Sequence, residues 1–365
     1  MQHDGHVPTS AMDVAIIGAG PIGIEMAIAL EEVGINDYVL FEARQIGHTI
    51  SRWPPHTHFY STPEHVALAG IPVHNVDQQP ITGEQYLAYL RTLVEYFDLP
   101  LQHYEPVQKV EQLNHGFRLR TLPQRGPQTY HCRKLILATG GMARPRLLGI
   151  PGEDLPHVSH YFPGPHVYFR RRLLVVGGKN SALESALRCW RGGAEVSISY
   201  RRPCFDFDVV KPHLADDIST RLDKGEITFL PSTVPVEITP AHVLLAKIDQ
   251  CLQPTTETFR RPFDAVLLAT GFAADMGLFR QAGVELHGVE QAPVYDAKTM
   301  ETNVPDLYIA GTAAGGSQVK FEHFISTSHD HVARIAKALT GRLPERLGSV
   351  QARNNAVSWE EVKSN

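Results

Sequence analysis

Two stretches of the chain, residues 13–42 and residues 173–202, repeat one pattern of apolar and polar positions. Each begins with an apolar run of strand length, passes through a glycine turn into a stretch rich in Ala and Leu, and ends in a second apolar run after another glycine. This order predicts a β-strand, an α-helix and a second β-strand in both places. Three later apolar runs, at residues 135–140, 265–271 and 307–311, predict further strands, and the first two end in Ala-Thr-Gly.

The segments between these units show other periodicities. Residues 105–133 and 226–262 alternate apolar and polar side chains and contain turn residues, so we expect antiparallel strands there. Residues 83–97 place apolar side chains at i, i+3 and i+4, which predicts an amphipathic helix. A long final helix is predicted over residues 319–340, and residues 346–365 form a polar C-terminal tail.

Composition narrows the class of protein. The 365 residues are 43% hydrophobic and 20% charged, which is typical of a globular protein of about two or three domains. The net charge of −5 offers no basic surplus for nucleic acid, and no apolar run reaches the roughly 18 residues of a membrane span. The four cysteines form no CxxC pair, and no Lys or Arg precedes the N-terminal apolar segment. We therefore expect a cytoplasmic protein with free thiols, without disulfides, a zinc ribbon or a signal peptide.

The first repeat carries a dinucleotide-binding motif. Gly18, Gly20 and Gly23 form G-x-G-x-x-G between strand and helix, in the sequence GAGPIG that also contains Pro21. The first glycine allows a tight turn, the second lets the backbone approach a pyrophosphate, and the third lets the helix lie close to the strand. Glu42, 24 residues after Gly18, is expected to accept hydrogen bonds from ribose hydroxyls and to repel a 2′-phosphate. The motif predicts an FAD or NAD site, and a purely structural glycine turn is the alternative.

The second repeat departs from this motif. Gly177, Lys179 and Ala182 occupy the three positions, so a lysine stands in place of the middle glycine. Arg201 lies at the same 24-residue offset and is followed by Arg202. Arginines there suit the 2′-phosphate of NADP, whereas a solvated basic turn is the alternative. The residues predicted to bind NADPH are Gly177, Lys179, Asn180, Ser181, Arg201, Arg202 and Gly271.

Two dinucleotide sites of opposite charge imply electron transfer between two carriers, and hydride transfer from a nicotinamide to a flavin is the expected reaction. We expect an α/β fold with two Rossmann-like dinucleotide-binding domains. Residues 1–155 and 274–345 form the predicted FAD-binding domain, which is discontinuous in sequence. Residues 156–273 form the predicted NADPH-binding domain inserted between its two parts.

Five segments carry a resemblance to a known family. They are WPPHTHFYST at 53–62, IPGEDLPHVSHYF at 150–162, VVGGKNSALESAL at 175–187, TGF at 270–272 and TMETNVPDLYIAG at 299–311. Over residues 12–340 the chain resembles the bacillithiol disulfide reductases, a thioredoxin-reductase-like group of pyridine nucleotide-disulfide oxidoreductases. The resemblance implies a thioredoxin-reductase-like fold, non-covalent FAD, NADPH as donor, a small disulfide as acceptor and often a homo-oligomer.

The chain departs from that family at one position and from the wider superfamily at another. The family's proposed redox cysteine lies between the proline and the third glycine of the first motif, where this chain has Ile22. An isoleucine cannot form a mixed disulfide; Cys204 is the one thiol expected near a cofactor, with an inert thiol as the alternative. At the last FAD motif, Thr312 follows the glycine where an aspartate is common. The residues predicted to bind FAD are Gly18, Gly20, Pro21, Gly23, Glu42, Thr139, Gly140, Gly311 and Thr312.

Other functions were weighed against a reductase of a small molecule. His56, in WPPHTHFYST, is the candidate for proton transfer, and loop packing is the alternative. The histidine clusters lack metal-ligand spacing, so no metal site is expected. A flavin monooxygenase would carry F-x-G-x-x-x-H before the second motif, where Phe162, Gly164 and His166 give the shorter F-x-G-x-H. A monooxygenase and a non-catalytic redox sensor that binds FAD and NADPH are the alternatives.

Overall fold

The computed structural model describes residues 11–76, 78–318 and 322–348. Two parts of the sequence predictions lie outside these residues. They are the start of the predicted final helix, residues 319–321, and most of the predicted polar tail, residues 349–365.

Strands and helices follow the order predicted for both repeats. The strands are β1 (Met12–Ile17), β2 (Tyr38–Phe41), β3 (Leu101–Gln102), β4 (Val107–Gln112), β5 (Phe117–Thr121), β6 (Gln128–Leu137), β7 (Arg144–Pro145), β8 (Val158–Ser159), β9 (Arg172–Val176), β10 (Glu195–Tyr200), β11 (Thr228–Pro231), β12 (Thr233–Ile238), β13 (Val243–Ile248), β14 (Pro254–Arg261), β15 (Ala265–Leu268), β16 (Phe272–Ala273), β17 (Leu286–His287), β18 (Ala292–Pro293) and β19 (Leu307–Ile309). The α-helices are α1 (Pro21–Glu32), α2 (His48–Ser51), α3 (Pro63–Val66), α4 (Gly83–Tyr96), α5 (Asn180–Arg191), α6 (Pro212–Asp223), α7 (Gly277–Gln281) and α8 (Ile325–Thr340). Short 3-10 segments lie at His166–Tyr168 and Gly311–Gly315.

The chain divides into two compact units. The first unit contains the residues up to Ser51, His56–Arg144 and the residues from Ala273 onward. The second unit contains Arg52–Pro55 and Pro145–Phe272. No helix within the described ranges has both the length and the apolar character needed to cross a bilayer.

The sheet of the first unit runs in the order β3-β2-β1-β6-β5-β4, and β19 also pairs with β6. β1 is parallel to β2 and to β6, as a βαβ unit requires. β6 changes role along its length, because residues 128–132 pair antiparallel with β5 and residues 135–137 pair parallel with β19. The antiparallel strands predicted over 105–133 are therefore confirmed, and the same long strand continues into the parallel sheet.

Helix α1 is buried on all sides. Pro21 sits at its first position, where a missing N–H costs nothing, and every residue from 22 to 30 is buried. One of these is a carboxylate, Glu25, which is 0% exposed. It accepts hydrogen bonds from the backbone N–H groups of Ala69 at 2.8 Å and Gly348 at 2.6 Å, and from Nδ1 of His329 on α8 at 2.6 Å. Glu25 therefore joins three separate segments to the centre of α1.

Replacing Glu25 with alanine is expected to lower the free energy of unfolding of the first unit by about 3 kcal/mol, because two buried backbone N–H groups and the partly buried ring of His329 lose their acceptor. Urea denaturation followed by circular dichroism measures the change. The matched control is Glu32→Ala, which removes the carboxylate at the end of the same helix. This carboxylate accepts the exposed backbone N–H of Arg346 at 3.0 Å and lies 3.4 Å from the guanidinium of the same residue. The control should cost less than about 1 kcal/mol. Equal losses in the two variants would contradict the role assigned to Glu25.

The sheet of the second unit runs in the order β11-β10-β9-β15-β8, and its strands are parallel. Successive residues of β9 face opposite sides, so Leu173 and Val175 pack in a core that contains α5 side chains. Leu174 and Val176 pack in a second core that includes residues of β13. Strands β12, β13 and β14 form a separate antiparallel sheet.

Two predicted elements differ in the structure. Residues 228–231, predicted as part of an antiparallel region, form β11, which pairs parallel with β10 at the edge of the second sheet. The final helix begins at Ile325, because Oε1 of Gln318 accepts the N–H groups of Glu322 and His323 and holds these residues outside the helix. By contrast, the helix predicted over 83–97 is confirmed at Gly83–Tyr96.

Candidate cofactor sites

The three glycines of the first motif differ in how much space surrounds them. Gly18 has φ +111°, and a Cβ there would lie 2.5 Å from the carbonyl oxygen of Ala138. A Cβ at Gly23 would lie 1.8 Å from the carbonyl oxygen of Gly18. Gly20 has an ordinary φ of −78°, and a Cβ there would have nothing within 4 Å. The protein itself therefore requires Gly18 and Gly23, whereas Gly20 leaves open space over the backbone.

The first turn of α1 faces this open space without a side-chain cap. Gly20 is the N-cap residue, and within the described part of the chain no side chain caps the helix start. Unsatisfied N–H groups and the positive end of the helix dipole favour an anion at such a terminus. Pro21 fixes the backbone of the first helical position. The turn can therefore hold a pyrophosphate.

Glu42 lies at the end of β2 with its carboxylate oriented by the backbone. One oxygen accepts the N–H of Ala19 at 2.9 Å and the other accepts the N–H of Arg44 at 2.9 Å. Burial raises the pKa of Glu42, while the hydrogen bonds from Arg44, Ala19 and Ala43 lower it in part. Each carboxylate oxygen has a second lone pair, so the group can still accept a hydroxyl hydrogen. It is therefore suited to bind a ribose.

Two threonine hydroxyls lie where the Ala-Thr-Gly run meets the last strand. Oγ1 of Thr139 is buried and has no hydrogen-bond partner among the described residues. Oγ1 of Thr312 accepts the N–H of Gly141 at 2.9 Å, so its own hydrogen remains to be donated. Gly140 has φ +75°, which lets the chain turn directly after Thr139. Both hydroxyls can donate to a bound molecule.

Ile22 occupies the position at which the resemblance implies a redox cysteine. Its side chain is 6% exposed, and a Cβ built on Gly311 would lie 3.4 Å from its Cβ. The residue is therefore an apolar contact between α1 and the end of β19. It has no group that could react with a disulfide.

The four cysteines fall into two classes. Cys132 and Cys189 are buried, and burial raises the pKa of each thiol to about 12. Because the thiolate is the nucleophile, neither can react at neutral pH. Cys204 and Cys251 are exposed. Cys204 lies two residues after Arg202 in the second unit, and its place near a cofactor stays a prediction.

The glycine turn of the second unit has a neighbouring side chain packed directly against it. Gly177 has φ +144°, and a Cβ there would lie 2.5 Å from the carbonyl oxygen of Ala269. A Cβ at Gly178 would lie 2.6 Å from the ring of Tyr200, which covers this glycine. Lys179 is the N-cap residue of α5, with φ −108° and no side-chain cap bond. The lysine therefore adopts ordinary backbone geometry at the middle motif position.

The two residues after Lys179 differ in what their side chains do. Asn180 is engaged by the loop that follows β10, because its Oδ1 accepts the N–H of Lys211 at 2.8 Å and its Nδ2 donates to the carbonyl of Val209 at 3.3 Å. Ser181 is exposed. Asn180 can therefore serve a ligand through its backbone N–H at the start of α5, while its side chain fixes the loop. This second task of Asn180 could not be predicted from the sequence.

Arg201 and Arg202 follow β10 and are both exposed. Arg202 lies 3.7 Å from the carboxylate of Asp206, whereas Arg201 forms no ion pair within the described residues. Gly271, at the end of the second Ala-Thr-Gly run, has φ +90° and open space where a Cβ would be. The second unit therefore presents two guanidinium groups at the end of the strand where a 2′-phosphate is expected.

His56 is exposed and lies in the left-handed region at φ +59°. Its backbone N–H donates to Oε1 of Glu84 at 3.0 Å. Glu84 is in the first turn of α4, and it was not among the residues selected from the sequence. The catalytic role of His56 stays a prediction.

Comparison with known proteins decides the family. A family model described as pyridine nucleotide-disulphide oxidoreductase matches residues 15–311. The chain belongs to this family. Bacilliredoxin reductase Bdr of Bacillus subtilis is 31% identical over 328 residues, which cover 90% of this chain and 97% of that protein. A ferredoxin–NADP reductase of Ignicoccus hospitalis is 27% identical over 82% of this chain and 89% of its own length.

A solved structure gives the same result for the fold. Bacillithiol disulfide reductase Bdr from Bacillus cereus matches with a TM-score of 0.84 at 29% identity, covering 91% of this chain and all of that one. As a member of the pyridine nucleotide-disulphide oxidoreductases, the chain is a flavin-dependent NADPH oxidoreductase whose cofactors are FAD and NADPH. The predicted family and α/β fold with two Rossmann-like units are confirmed.

Proposed function

We propose that the first unit holds FAD and the second unit holds NADPH. Three observations on the described residues support FAD in the first unit: the open space at Gly20, the hydroxyl of Thr139 that has no partner among those residues, and the hydroxyl hydrogen of Thr312 that none of them accepts. When bound, NADPH supplies a hydride and FAD accepts it and passes electrons on singly or in pairs. The proposed FAD residues are Gly18, Gly20, Pro21, Gly23, Glu42, Thr139, Gly140, Gly311 and Thr312. The proposed NADPH residues are Gly177, Lys179, Asn180, Ser181, Arg201, Arg202 and Gly271.

In this proposal the residues of the chain bind FAD and NADPH and orient them. Amides at the starts of α1 and α5 bind phosphate oxygens. Glu42 accepts ribose hydroxyls and, being anionic, repels a 2′-phosphate, while Arg201 and Arg202 attract one. His56 is proposed to transfer a proton through its imidazole. The bond to Glu84 is made by the backbone N–H of His56 and does not occupy the ring. The side chains therefore distinguish the two cofactors by charge.

We further propose that the electron acceptor is a low-molecular-weight disulfide. In the overall reaction NADPH, one proton and one disulfide give NADP⁺ and two thiols, so two electrons break one S–S bond. The observation that carries this proposal is the match over nearly the full length of both chains to proteins named bacilliredoxin reductase and bacillithiol disulfide reductase. The ferredoxin–NADP reductase relative makes ferredoxin the second candidate acceptor.

The route to the disulfide differs from one through a thiol at position 22. Ile22 is buried and cannot form a mixed disulfide, so the acceptor must be reduced without covalent attachment there. Cys204 is exposed, and no side chain among the described residues bonds to its thiol. The proposal is therefore that no cysteine of this chain is needed.

An anaerobic assay with purified protein tests this proposal. NADPH oxidation and thiol release are followed with bacillithiol disulfide, glutathione disulfide and cystine, then with ferredoxin, and separately with oxygen. We expect two thiols per NADPH with at least one disulfide, and the same rate in Cys204→Ser. Ile22→Cys should raise the rate, because it adds a thiol in the first turn of α1, where the positive end of the helix favours the reactive thiolate. If no disulfide releases thiols and the enzyme oxidises NADPH with ferredoxin or oxygen, the acceptor is not a disulfide and the proposal is wrong.

Two further parts of the proposal concern the setting of the protein. We propose a reducing, cytoplasmic compartment, which is supported by four cysteines that are all free. We also propose a homo-oligomer, which rests on the resemblance alone. Light scattering of the eluted holoenzyme tests the second part: a mass of 40.5 kDa would show a monomer and contradict it.

A further inference from the structure

His331 of α8 makes a hydrogen bond that the cofactor motifs do not account for. Its side chain lies in the first unit and is 5% exposed. Its Nδ1 is 3.2 Å from the backbone nitrogen of Gly311, the last residue of the LYIAG run. Because a backbone nitrogen can only donate, Nδ1 must accept and the ring proton must sit on Nε2. The bond therefore fixes the tautomer of His331.

Gly311 depends on this acceptor. It is buried, has φ +77°, and opens the 3-10 segment Gly311–Gly315. The next residue is Thr312, whose hydroxyl accepts the N–H of Gly141. Without His331 the amide of Gly311 would be buried and unpaired at the turn that presents Thr312. An unpaired buried donor costs more than its hydrogen bond contributes, so the turn would be expected to shift.

We propose that His331 is a positioning residue for FAD, which holds the Gly311–Thr312 turn through its neutral Nδ1. The inference rests on the proposed placement of FAD in the first unit. His331 thus supports, from outside the glycine motif, the turn on which Thr312 lies. It acts through Gly311 and Thr312 and does not itself touch the cofactor.

The surroundings keep this imidazole neutral. Burial is the main cause that lowers the pKa of His331 to about 4, and His323 and Arg334 lower it further, against Asp330, which raises it. The ring of His323 is 5.3 Å away. At neutral pH the acceptor on Nδ1 is therefore present. Since the folded pKa is below the ordinary value of 6.5, stability from this group is complete above pH 6.5 and falls as the pH drops towards 4.

The test compares two variants of similar size. His331→Asn keeps an acceptor oxygen close to the place of Nδ1, whereas His331→Leu removes it. We expect the FAD dissociation constant, measured by flavin fluorescence, to rise roughly tenfold or more in His331→Leu and to stay within about threefold of wild type in His331→Asn. Hydrogen exchange of a peptide spanning 308–318 should speed up in the leucine variant alone. The pH dependence of stability between 6.5 and 4 should weaken in both variants.

Each outcome bears on the proposal. Equal FAD affinities in the leucine and asparagine variants would show that His331 contributes only by packing, and would overturn the proposal. If the leucine variant fails to fold, NMR of histidine-labelled wild-type protein decides, because a protonated Nδ1 on His331 would overturn the proposal and an unprotonated Nδ1 supports it. Thr312→Val distinguishes a wrong placement of FAD from a wrong role of His331. If both Thr312→Val and His331→Leu bind FAD as tightly as wild type, the placement of FAD is wrong. If Thr312→Val binds FAD more weakly and His331→Leu binds it as tightly as wild type, the positioning role of His331 is wrong.

Discussion

Replacing Gly20 with threonine should leave the fold intact and remove most of the bound FAD. The backbone at Gly20 is in an extended conformation that any residue adopts, and a Cβ meets nothing within 4 Å. Threonine is also a good N-cap residue, so α1 should not be weakened. The added side chain fills the space over the turn, and we expect FAD affinity to fall about 100-fold, or about 2.8 kcal/mol.

The matched comparison is Gly23→Ala. There the added Cβ would lie 1.8 Å from the carbonyl oxygen of Gly18, so the protein itself must shift. We expect this variant to lose both FAD and stability, whereas Gly20→Thr apoprotein should unfold at the same urea concentration as wild-type apoprotein. Equilibrium dialysis against FAD and urea denaturation measure the two effects. A Gly20→Thr protein that purifies with a full complement of FAD would show that the cofactor does not approach this turn.

Removing both Arg201 and Arg202 should convert a preference for NADPH into near indifference. The double alanine variant is expected to raise KM for NADPH roughly 10- to 100-fold, the usual effect of losing charge-assisted hydrogen bonds to a phosphate. KM for NADH, which has no 2′-phosphate, should change less than about threefold. Steady-state kinetics with both nucleotides and one acceptor measure this difference.

The single variants and a control refine the result. Arg201→Ala should have the larger effect, because Arg202 is already close to Asp206 at 3.7 Å. Arg260→Ala removes an exposed arginine from β14 of the same unit and should change neither KM. Salt should weaken NADPH binding in the wild type more than in the double variant. Equal losses for NADPH and NADH would remove the assignment of these arginines.

The local parts of the fold could be predicted from the sequence because their signals are local. The strand, turn and helix of each repeat are encoded by apolar runs and by glycines that sit at positive φ or under a neighbouring carbonyl. Thr82 and Gln85 similarly fix the start of α4 through a reciprocal capping box. In these places the residues that determine the structure are within a few positions of one another.

The missed features depend on residues far apart in the sequence. β11 is parallel because its partner is β10, which no alternation pattern can reveal. Glu25 has no role in the sequence predictions, yet it is buried by segments around residues 69, 329 and 348. The spacing of the histidines in the sequence bears only on metal binding. Position 331 became informative only when the fold placed it beside Gly311.

An anaerobic titration of the purified holoenzyme with NADPH, followed by flavin absorbance, tests the central claim most directly. The account predicts that about one equivalent of NADPH bleaches the flavin, that NADH does so at much higher concentration, and that a low-molecular-weight disulfide restores the colour. A protein that binds FAD tightly but whose flavin stays oxidised under excess NADPH would contradict the claim and favour a redox sensor.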